Sequence, residues 1–398
     1  MDGDEQARLE AAGKALARGT DRYGAKQPDS RASLIQVRRL DNKWAQVRVA
    51  DAVGLIAITT LQLNVQPKIP VPHLLHILEA GDVVPRFATG EGMLEHSDNL
   101  AALIAHWFIT AVERILEEGL ARDYRQHRDE LSAVRGRILP LDTARLFYRG
   151  RVAVVADYEE YDFDTPLNRT MLHVARIIAG GIALPDALRR RALRTTKRMD
   201  GVGPLERADP AARLERRTSY YGDALSLARQ ILAATGRTLA AGDRRGWTFL
   251  FRTPIPVEAG IRAIAMRSLA GTARVRKGQL TLTGANLTIN PDLVFDDGVV
   301  RAIGDVKYKL VGPEWERPDL YEAVAFAAGY HTDRGVVALF AKPGSSALEP
   351  APVGRHTITQ IYWPADAALA PNEAAHQFAD QLQAWYQARA PAEPTDEA

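Results

Sequence analysis

Residues 287–310 read LTINPDLVFDDGVVRAIGDVKYKL, two apolar runs separated by Asp-Asp-Gly at positions 296–298. A short Asp/Gly turn between runs rich in Val, Ile and Leu is typical of a β-hairpin. The stretch therefore predicts two antiparallel strands. Three charged residues stand out in the apolar runs on either side of the turn: Asp292, Asp305 and Lys307.

The spacing of these charges predicts a shared face. Asp305 and Lys307 are two residues apart on one strand, so their side chains point the same way. Val306 faces the opposite side, and its backbone carbonyl remains free to join a metal shell. Charged groups on an otherwise buried hairpin are costly unless something compensates them. A bound cation would do so, because two neighbouring carboxylates without one would have to share a proton.

Phosphodiester hydrolysis needs this combination of groups. A divalent cation must lie beside the phosphate, a water must be made nucleophilic, and the added charge must be offset. Mg²⁺ prefers carboxylate and carbonyl oxygens. We therefore predict a metal-dependent nuclease site in which Asp292, Asp305 and the carbonyl of Val306 hold Mg²⁺, with Mn²⁺ able to substitute, and Lys307 assists the attacking water.

The alternative is a surface hairpin with a structural Asp–Lys pair. An acid two residues before a lysine occurs twice in the chain, at Asp41/Lys43 and at Asp305/Lys307. Only the second pair follows a Pro-Asp dipeptide at a strand-sized distance and an upstream helix that carries Glu258. We include Glu258 among the candidate catalytic residues, although an acid at a helix start also suits the helix dipole.

Composition limits the remaining possibilities. The 398 residues are 46% hydrophobic and 25% charged, as in ordinary globular proteins, with enough length for two or three cores. The chain has no cysteine, which excludes disulfides and thiolate sites and favours a cytoplasmic location. Neither a membrane span nor a secretory signal is predicted. The sequence also lacks HExxH and GxxxxGK[ST], so we expect no histidine zinc site and no nucleotide site in this chain.

The order of periodic segments predicts an α/β multidomain protein. A small β-rich N-terminal domain should be followed by a mainly helical middle domain and by a C-terminal domain with a mixed sheet flanked by helices. The predicted boundaries are a flexible arm at 1–30, the β-rich domain at 31–95, the middle domain at 96–243, the C-terminal domain at 244–390 and a tail at 391–398.

Further basic residues are candidates for DNA contact. Arg135 and Arg137 flank Gly136, and two arginines on one face suit a phosphate. They equally suit structural ion pairs with the acids at 159–162. Lys309 shares the face of Lys307, where it would either contact DNA or lie at an exposed strand end.

The hairpin resembles the signature of PD-(D/E)XK nucleases. INPDLVF followed by IGDVKYK, set between two predicted helices and before a further strand, is similar to that family's core. The resemblance implies that Asp292 and Asp305 are the metal-binding acids and that Lys307 orients or activates water. It also matches Glu258 to the acid that many members carry on the first core helix.

A wider resemblance covers most of the chain. Five further segments occur in the order found in McrC-like nuclease subunits of McrBC-type modification-dependent restriction systems: QPKI at 66–69, GLARDYR at 119–125, VRGRI at 134–138, DFDTPLNRTMLHVA at 162–175 and RPDLYEAVAFA at 317–327. The resemblance implies a DNA endonuclease subunit that acts with a hexameric, McrB-like AAA+ GTPase. It further implies that the N-terminal β-rich domain engages that partner.

Two departures from the family pattern bear on function. Glu322 stands where the family often has Gln, and we treat it and its neighbour Tyr321 as candidate DNA contacts. The N-terminal region matches more weakly, which bears on the partner interface. Two alternatives therefore stay open: a non-cleaving adaptor that stimulates an AAA+ GTPase, and a stand-alone DNA or RNA nuclease.

Overall fold

The structure is a computed structural model that describes the following residues: 10, 35–40, 45–58, 61–83, 100–235, 247–282, 287–345 and 348–388. Apart from residue 10, the arm predicted at 1–30 lies outside the described residues, as does the tail predicted at 391–398. The described residues form two compact units. The first combines the residues up to Leu100 with those from Trp247 onward, and the second contains the residues between them.

In residues 35–83, as far as the structure describes them, the first unit contains short strands followed by a helix. Alternating apolar residues form the strands predicted from the sequence runs here, with polar separators between them. The elements are β1 (Ile35–Arg39), β2 (Ala45–Val49), β3 (Ala52–Ile58), β4 (Leu61–Val65) and α1 (Val71–Ala80). β1 pairs with β2 and β3 pairs with β4, both antiparallel.

The second unit combines helices with a small sheet. Its regular elements are α2 (Leu100–Glu118), β5 (Asp123–Leu131), β6 (Arg137–Ile138), α3 (Pro140–Tyr148), β7 (Val154–Asp162), α4 (Pro166–Ala179), α5 (Asp186–Lys197) and α6 (Gly222–Ala234). The first residue of α2, Leu100, is the last residue of the first unit's N-terminal part. Two 3₁₀ helices, Asp209–Ala211 and Arg216–Tyr221, precede α6. The antiparallel strand order is β5-β7-β6. The run that contains α3 reads as extended chain in the sequence, whereas residues 140–148 form a helix that buries Thr143 and Leu146.

Hydrogen bonds at the start of α4 hold the second unit together. The Thr165 side chain accepts from the backbone N–H of Asn168, with Pro166 in the first turn, as the sequence predicts. The fully buried Asn168 amide donates to the carbonyls of Ala121 and Phe163 at 2.8 Å each. Asn168 therefore has a structural role at the start of this helix.

The C-terminal part of the first unit contains the remaining elements. They are β8 (Trp247–Arg252), α7 (Pro254–Ser268), β9 (Arg274–Arg276), β10 (Leu280–Leu282), β11 (Leu287–Ile289), β12 (Leu293–Asp296), β13 (Val300–Leu310), α8 (Arg317–Gly329), β14 (Arg334–Ala341), β15 (Ala351–Val353), β16 (His356–Pro364) and α9 (Pro371–Gln387). None of the helices described is long and apolar enough to cross a membrane.

A six-stranded mixed sheet forms the core of this part, in the order β15-β16-β14-β13-β12-β9. β13, β14 and β16 run parallel, whereas β12 pairs antiparallel with β13. The predicted hairpin is therefore confirmed as β12–β13. Its predicted first strand is shorter than expected, because β10 and β11 pair with each other and β12 begins only after Pro291. A proline has no N–H to continue a ladder, which explains the break.

The N-terminal strands and the central sheet share one unit, although the sequence suggested separate domains at 31–95 and 244–390. β3 lies between β4 and β8 in a second sheet. Gly54 of β3 has a φ of 140°, and a Cβ there would lie 2.1 Å from the Phe249 carbonyl oxygen. Trp363 of β16 donates to Nδ1 of the buried His73 at 2.8 Å. Residues almost three hundred positions apart thus share a core.

Helices α1 and α7 approach each other through glycine. A Cβ on Gly260 would lie 2.0 Å from the Ile77 carbonyl oxygen, and one on Gly81 would lie 2.8 Å from the Gly260 nitrogen. Neither neighbouring atom belongs to a flexible side chain. The contact therefore depends on the missing Cβ atoms.

We expect Gly260→Ala to lower the free energy of unfolding by roughly 2 kcal/mol, in the range typical of overpacked cores, because α1 and α7 must separate. Urea denaturation followed by circular dichroism measures the change. Gly312→Ala is the control, since the nearest atom to a Cβ there lies 3.7 Å away. Equal stability of the two variants would show that the helix contact is not tight.

Candidate active site

The three predicted charges converge at one end of the hairpin. Leu293 pairs with Gly304, so Asp292, just before β12, lies beside Asp305 of β13. The backbone N–H of Val306 donates to Asp292 Oδ2 at 3.1 Å. Glu258 comes from the first half of α7. The hairpin register thus sets the separation of the two aspartates.

Both aspartates are buried, with exposed fractions of 6% for Asp292 and 4% for Asp305. Burial, together with the charge of Glu258, raises the pKa of Asp292 to about 6. Burial also raises the pKa of Asp305 to about 6, where the neighbouring Asp292 adds to the effect and Lys307 opposes it. The pair is therefore difficult to ionise fully without a nearby cation.

Lys307 bridges two carboxylates. Its Nζ lies 2.6 Å from Asp305 Oδ2 and 2.7 Å from Glu322 Oε2. Burial lowers the pKa of Lys307, but Asp305 and Glu322 together outweigh burial and raise it above its ordinary value. Lys307 is thus held in its charged form between Asp305 and Glu322.

A second lysine lies on the other side of the aspartates. Lys277, between β9 and β10, places its Nζ 3.5 Å from Glu258 Oε2 and 3.8 Å from Asp292 Oδ1. Arg262 of α7 donates to the Asp292 carbonyl at 3.2 Å. Sequence reasoning missed both residues, because neither belongs to the hairpin. The scarcity of lysine, only nine in the chain, was the one indication available for Lys277.

The oxygen atoms in this cluster suit a hard divalent cation. Asp305 Oδ2 is buried and makes no hydrogen bond of acceptable geometry, even though the Lys307 ammonium is close. The pairing of β13 with β14 shifts after Val306, which interrupts the ladder beside that carbonyl. Among the described residues, no three His, Cys, Asp or Glu side chains form a ready-made metal cluster. The site therefore fits an ion that two aspartates hold while water completes its coordination shell, an arrangement that Mg²⁺ accepts.

The remaining candidates on this unit have different surroundings. Lys309 places Nζ 2.6 Å from Glu316 Oε2 and also contacts the buried Asp319. Tyr321 is 65% exposed on α8. Glu322, one residue later, makes the contact with Lys307 described above. The structure therefore brings Glu322 into the charged cluster, while Lys309 belongs to a neighbouring ion pair.

Arg135 and Arg137 belong to the second unit. The Arg135 guanidinium lies over the Tyr158 ring at 4.5 Å and 3.4 Å from Glu160. Arg137 is exposed on β6, opposite Asp157. Gly136 between them has a φ of 68°, and a Cβ there would lie 2.3 Å from the Asp157 carbonyl oxygen. Arg135 thus makes one of the ion pairs considered in the sequence analysis.

Comparison with known proteins identifies a family. A family model described as the McrBC 5-methylcytosine restriction system component matches residues 47–341. No curated protein sequence is significantly similar to the chain.

Two solved structures are similar. One is the refined half-complex from the tetradecameric assembly of Thermococcus gammatolerans McrB AAA+ hexamers with bound McrC, with 13% identity, a TM-score of 0.65 and coverage of 97% of this chain and 96% of that one. The other is the cryo-EM structure of the Thermococcus gammatolerans McrBC complex, with 16% identity, a TM-score of 0.45 and coverage of 68% and 84%. At 13% identity, the first establishes a shared fold.

The raised pKa values predict how stability depends on pH without metal. Asp292 holds its proton more tightly when folded, so ionising it costs stability as pH rises from about 4 to about 6. Relative to that of wild type, the free energy of unfolding of Asp292→Asn should therefore rise by on the order of 2 kcal/mol between pH 4 and pH 7. Urea unfolding in the presence of a chelator measures this difference.

Asp297→Asn is the matched control for this prediction. A hydrogen bond from Arg301 lowers the pKa of the exposed Asp297. That carboxylate stabilises the fold once ionised, so this variant should lose stability relative to wild type as pH rises through the ordinary carboxyl range. If both variants responded to pH in the same direction, the raised pKa of Asp292 would be wrong.

Proposed function

The chain belongs to the family of McrBC 5-methylcytosine restriction system components, and we propose that it is a Mg²⁺-dependent DNA endonuclease subunit. The observation that carries the proposal is the buried Asp292–Asp305 pair with Lys307 beside it. An apolar hairpin has no structural need for two buried carboxylates. A cation that positions a phosphate would need these carboxylates as ligands.

The elements around the hairpin support assignment to the PD-(D/E)XK nucleases. Helix α7, the hairpin β12–β13, helix α8 and strand β14 follow in that order along the chain. The sheet they build is mixed, with helices packed on it. Asp292, Asp305 and Lys307 then fill the acid, acid and lysine positions of the signature.

Each side chain has a defined part in the proposed reaction. Asp292 and Asp305 hold the divalent cation, aided by the Val306 carbonyl. A bound cation supplies Lewis-acid polarisation of the phosphate and lowers the pKa of a coordinated water. Lys307, kept protonated by its carboxylate neighbours, orients the attacking water and offsets charge on the phosphate. Glu322 holds the Lys307 ammonium in place.

We further propose that a McrB-like AAA+ GTPase hexamer is the partner. Support comes from the shared fold, because the Thermococcus gammatolerans assembly contains McrB AAA+ hexamers with bound McrC. The chain itself has no phosphate-binding GxxxxGK[ST] motif, so nucleotide hydrolysis falls to the partner. We assign the partner contact to the N-terminal β-rich segment at 31–95.

A non-cleaving adaptor is the second candidate function. One observation favours it: two lysines lie against the carboxylates, and the described residues provide no group of three metal-ligating side chains. An adaptor would bind the AAA+ partner and stimulate GTP hydrolysis with a silent site.

Cleavage of modified plasmid DNA distinguishes these functions. With Mg²⁺, the AAA+ partner and GTP, wild type should cut, and Asp305→Asn should cut at least about 10³-fold more slowly, because the cation loses a charged ligand. Asp297→Asn is the control, since this acid lies on the same hairpin but pairs with Arg301 at the turn. Its cutting rate should equal that of wild type.

Stimulation of GTP hydrolysis is measured in the same reactions. Asp305→Asn should stimulate the partner as wild type does, since Asp305 is buried within the proposed metal site. Stimulation without cutting by wild type would establish the adaptor. Cutting by wild type without partner or GTP would establish a stand-alone nuclease.

A further inference from the structure

The backbone next to Lys277 is fixed close to the carboxylates. The next residue, Gly278, donates its N–H to the Pro291 carbonyl at 2.8 Å. A Cβ at Gly278 would lie 2.6 Å from Pro291 Cγ and 2.8 Å from Val294 Cγ2. Only glycine allows this approach, and the approach places Lys277 beside Asp292, the residue that follows Pro291.

The two lysines of the site differ in how firmly they are held. Lys307 has a side chain that is 24% exposed and lies within 2.7 Å of two carboxylates. The Lys277 side chain is 48% exposed, and its contacts with Glu258 and Asp292 are 3.5 and 3.8 Å. Such loose, half-exposed ion pairs are weak and easily broken. Lys277 can therefore leave the carboxylates at little cost.

A divalent cation and the Lys277 ammonium compete for the same oxygen. Mg²⁺ binds carboxylate oxygens at about 2.0–2.1 Å. With such an ion on Asp292 Oδ1, the Lys277 ammonium at its present distance of 3.8 Å from that atom would meet strong repulsion. Binding of the ion would therefore weaken the attraction of Asp292 for Lys277, which no short hydrogen bond retains.

We propose that Lys277 is a displaceable counter-cation, which neutralises Glu258 and Asp292 in the metal-free protein and moves away when a divalent cation binds. The inference rests on the proposed function, because it requires the metal site. It assigns Lys277 a positioning role, in which the ammonium offsets the mutual repulsion of the two acids before the metal arrives.

Manganese binding to the purified full-length chain tests this proposal without any cleavage assay. Mn²⁺ affinity is measured by electron paramagnetic resonance in wild type, Lys277→Met and Lys277→Arg. We expect Lys277→Met to bind Mn²⁺ about fivefold more tightly, the effect of removing one competing exposed ion pair. Lys277→Arg keeps the charge and should stay within about twofold of wild type.

Thermal melting of the same proteins gives a second readout. Without metal, Lys277→Met should melt at a lower temperature than wild type, because Glu258 and Asp292 lose their counter-charge. Saturating Mn²⁺ should remove most of that difference. Arg276→Met is the control, since Arg276 points to Asp296, 3.8 Å away, and its removal should leave Mn²⁺ affinity unchanged.

The outcomes separate this inference from the proposed function. If wild type binds Mn²⁺ and Asp305→Asn does not, the metal site exists. Equal or weaker binding by Lys277→Met would then overturn the role of Lys277 alone. If wild type binds no Mn²⁺, or binds it as Asp305→Asn does, the metal site itself is wrong, and both proposals fall.

Discussion

The burial of two carboxylates beside each other is the constraint on which this part of the molecule depends. Asp292 and Asp305 lie at the end of an apolar hairpin, where low polarity raises both pKa values to about 6. Neighbouring groups offset the negative charge of the two carboxylates. Val306 donates an N–H to one carboxylate, Lys307 contacts the other, and Lys277 approaches from the far side. None of these groups fully satisfies the pair, since Asp305 Oδ2 still lacks a well-formed hydrogen bond. This incomplete compensation supports the proposed cation site.

The sequence predicted the hairpin and its charges because these depend on local pattern. Alternation within 293–310 places Asp305 and Lys307 on one face, and the Asp-Asp-Gly turn fixes the pairing that brings Asp292 alongside. Helix α4 was similarly visible from Thr165 and Pro166 at its start. The short helix α3, which buries only Thr143 and Leu146, was not among the predicted elements. Pattern also placed Asp292 within a strand, whereas the preceding Pro291 delays the strand until residue 293.

The partners of the site residues were less predictable, since they come from distant parts of the chain. Glu322 reaches Lys307 from α8, and Lys277 reaches Asp292 from the segment after β9. Local periodicity carries no information about such contacts. The same limit applies to the domain division. Separate β-rich and C-terminal domains were expected, but β3 pairs with β8 and His73 accepts a hydrogen bond from Trp363. In each of these contacts, one partner precedes the described residues of the second unit in the sequence and the other follows them.

The interrupted first unit has a consequence for how the protein is made. Residues up to Leu100 leave the ribosome well before their partners from Trp247 onward, and the described residues of the second unit lie between them. Domains synthesised first can fold first. The second unit is therefore able to fold before β8 and α7, the partners of β3 and α1, have been made. Lys68 donates to the carbonyl of Tyr308 on β13, 240 residues later in the chain. This hydrogen bond can form only after β13 has been made. The acidic site is therefore assembled only after the residues that follow the second unit have been made.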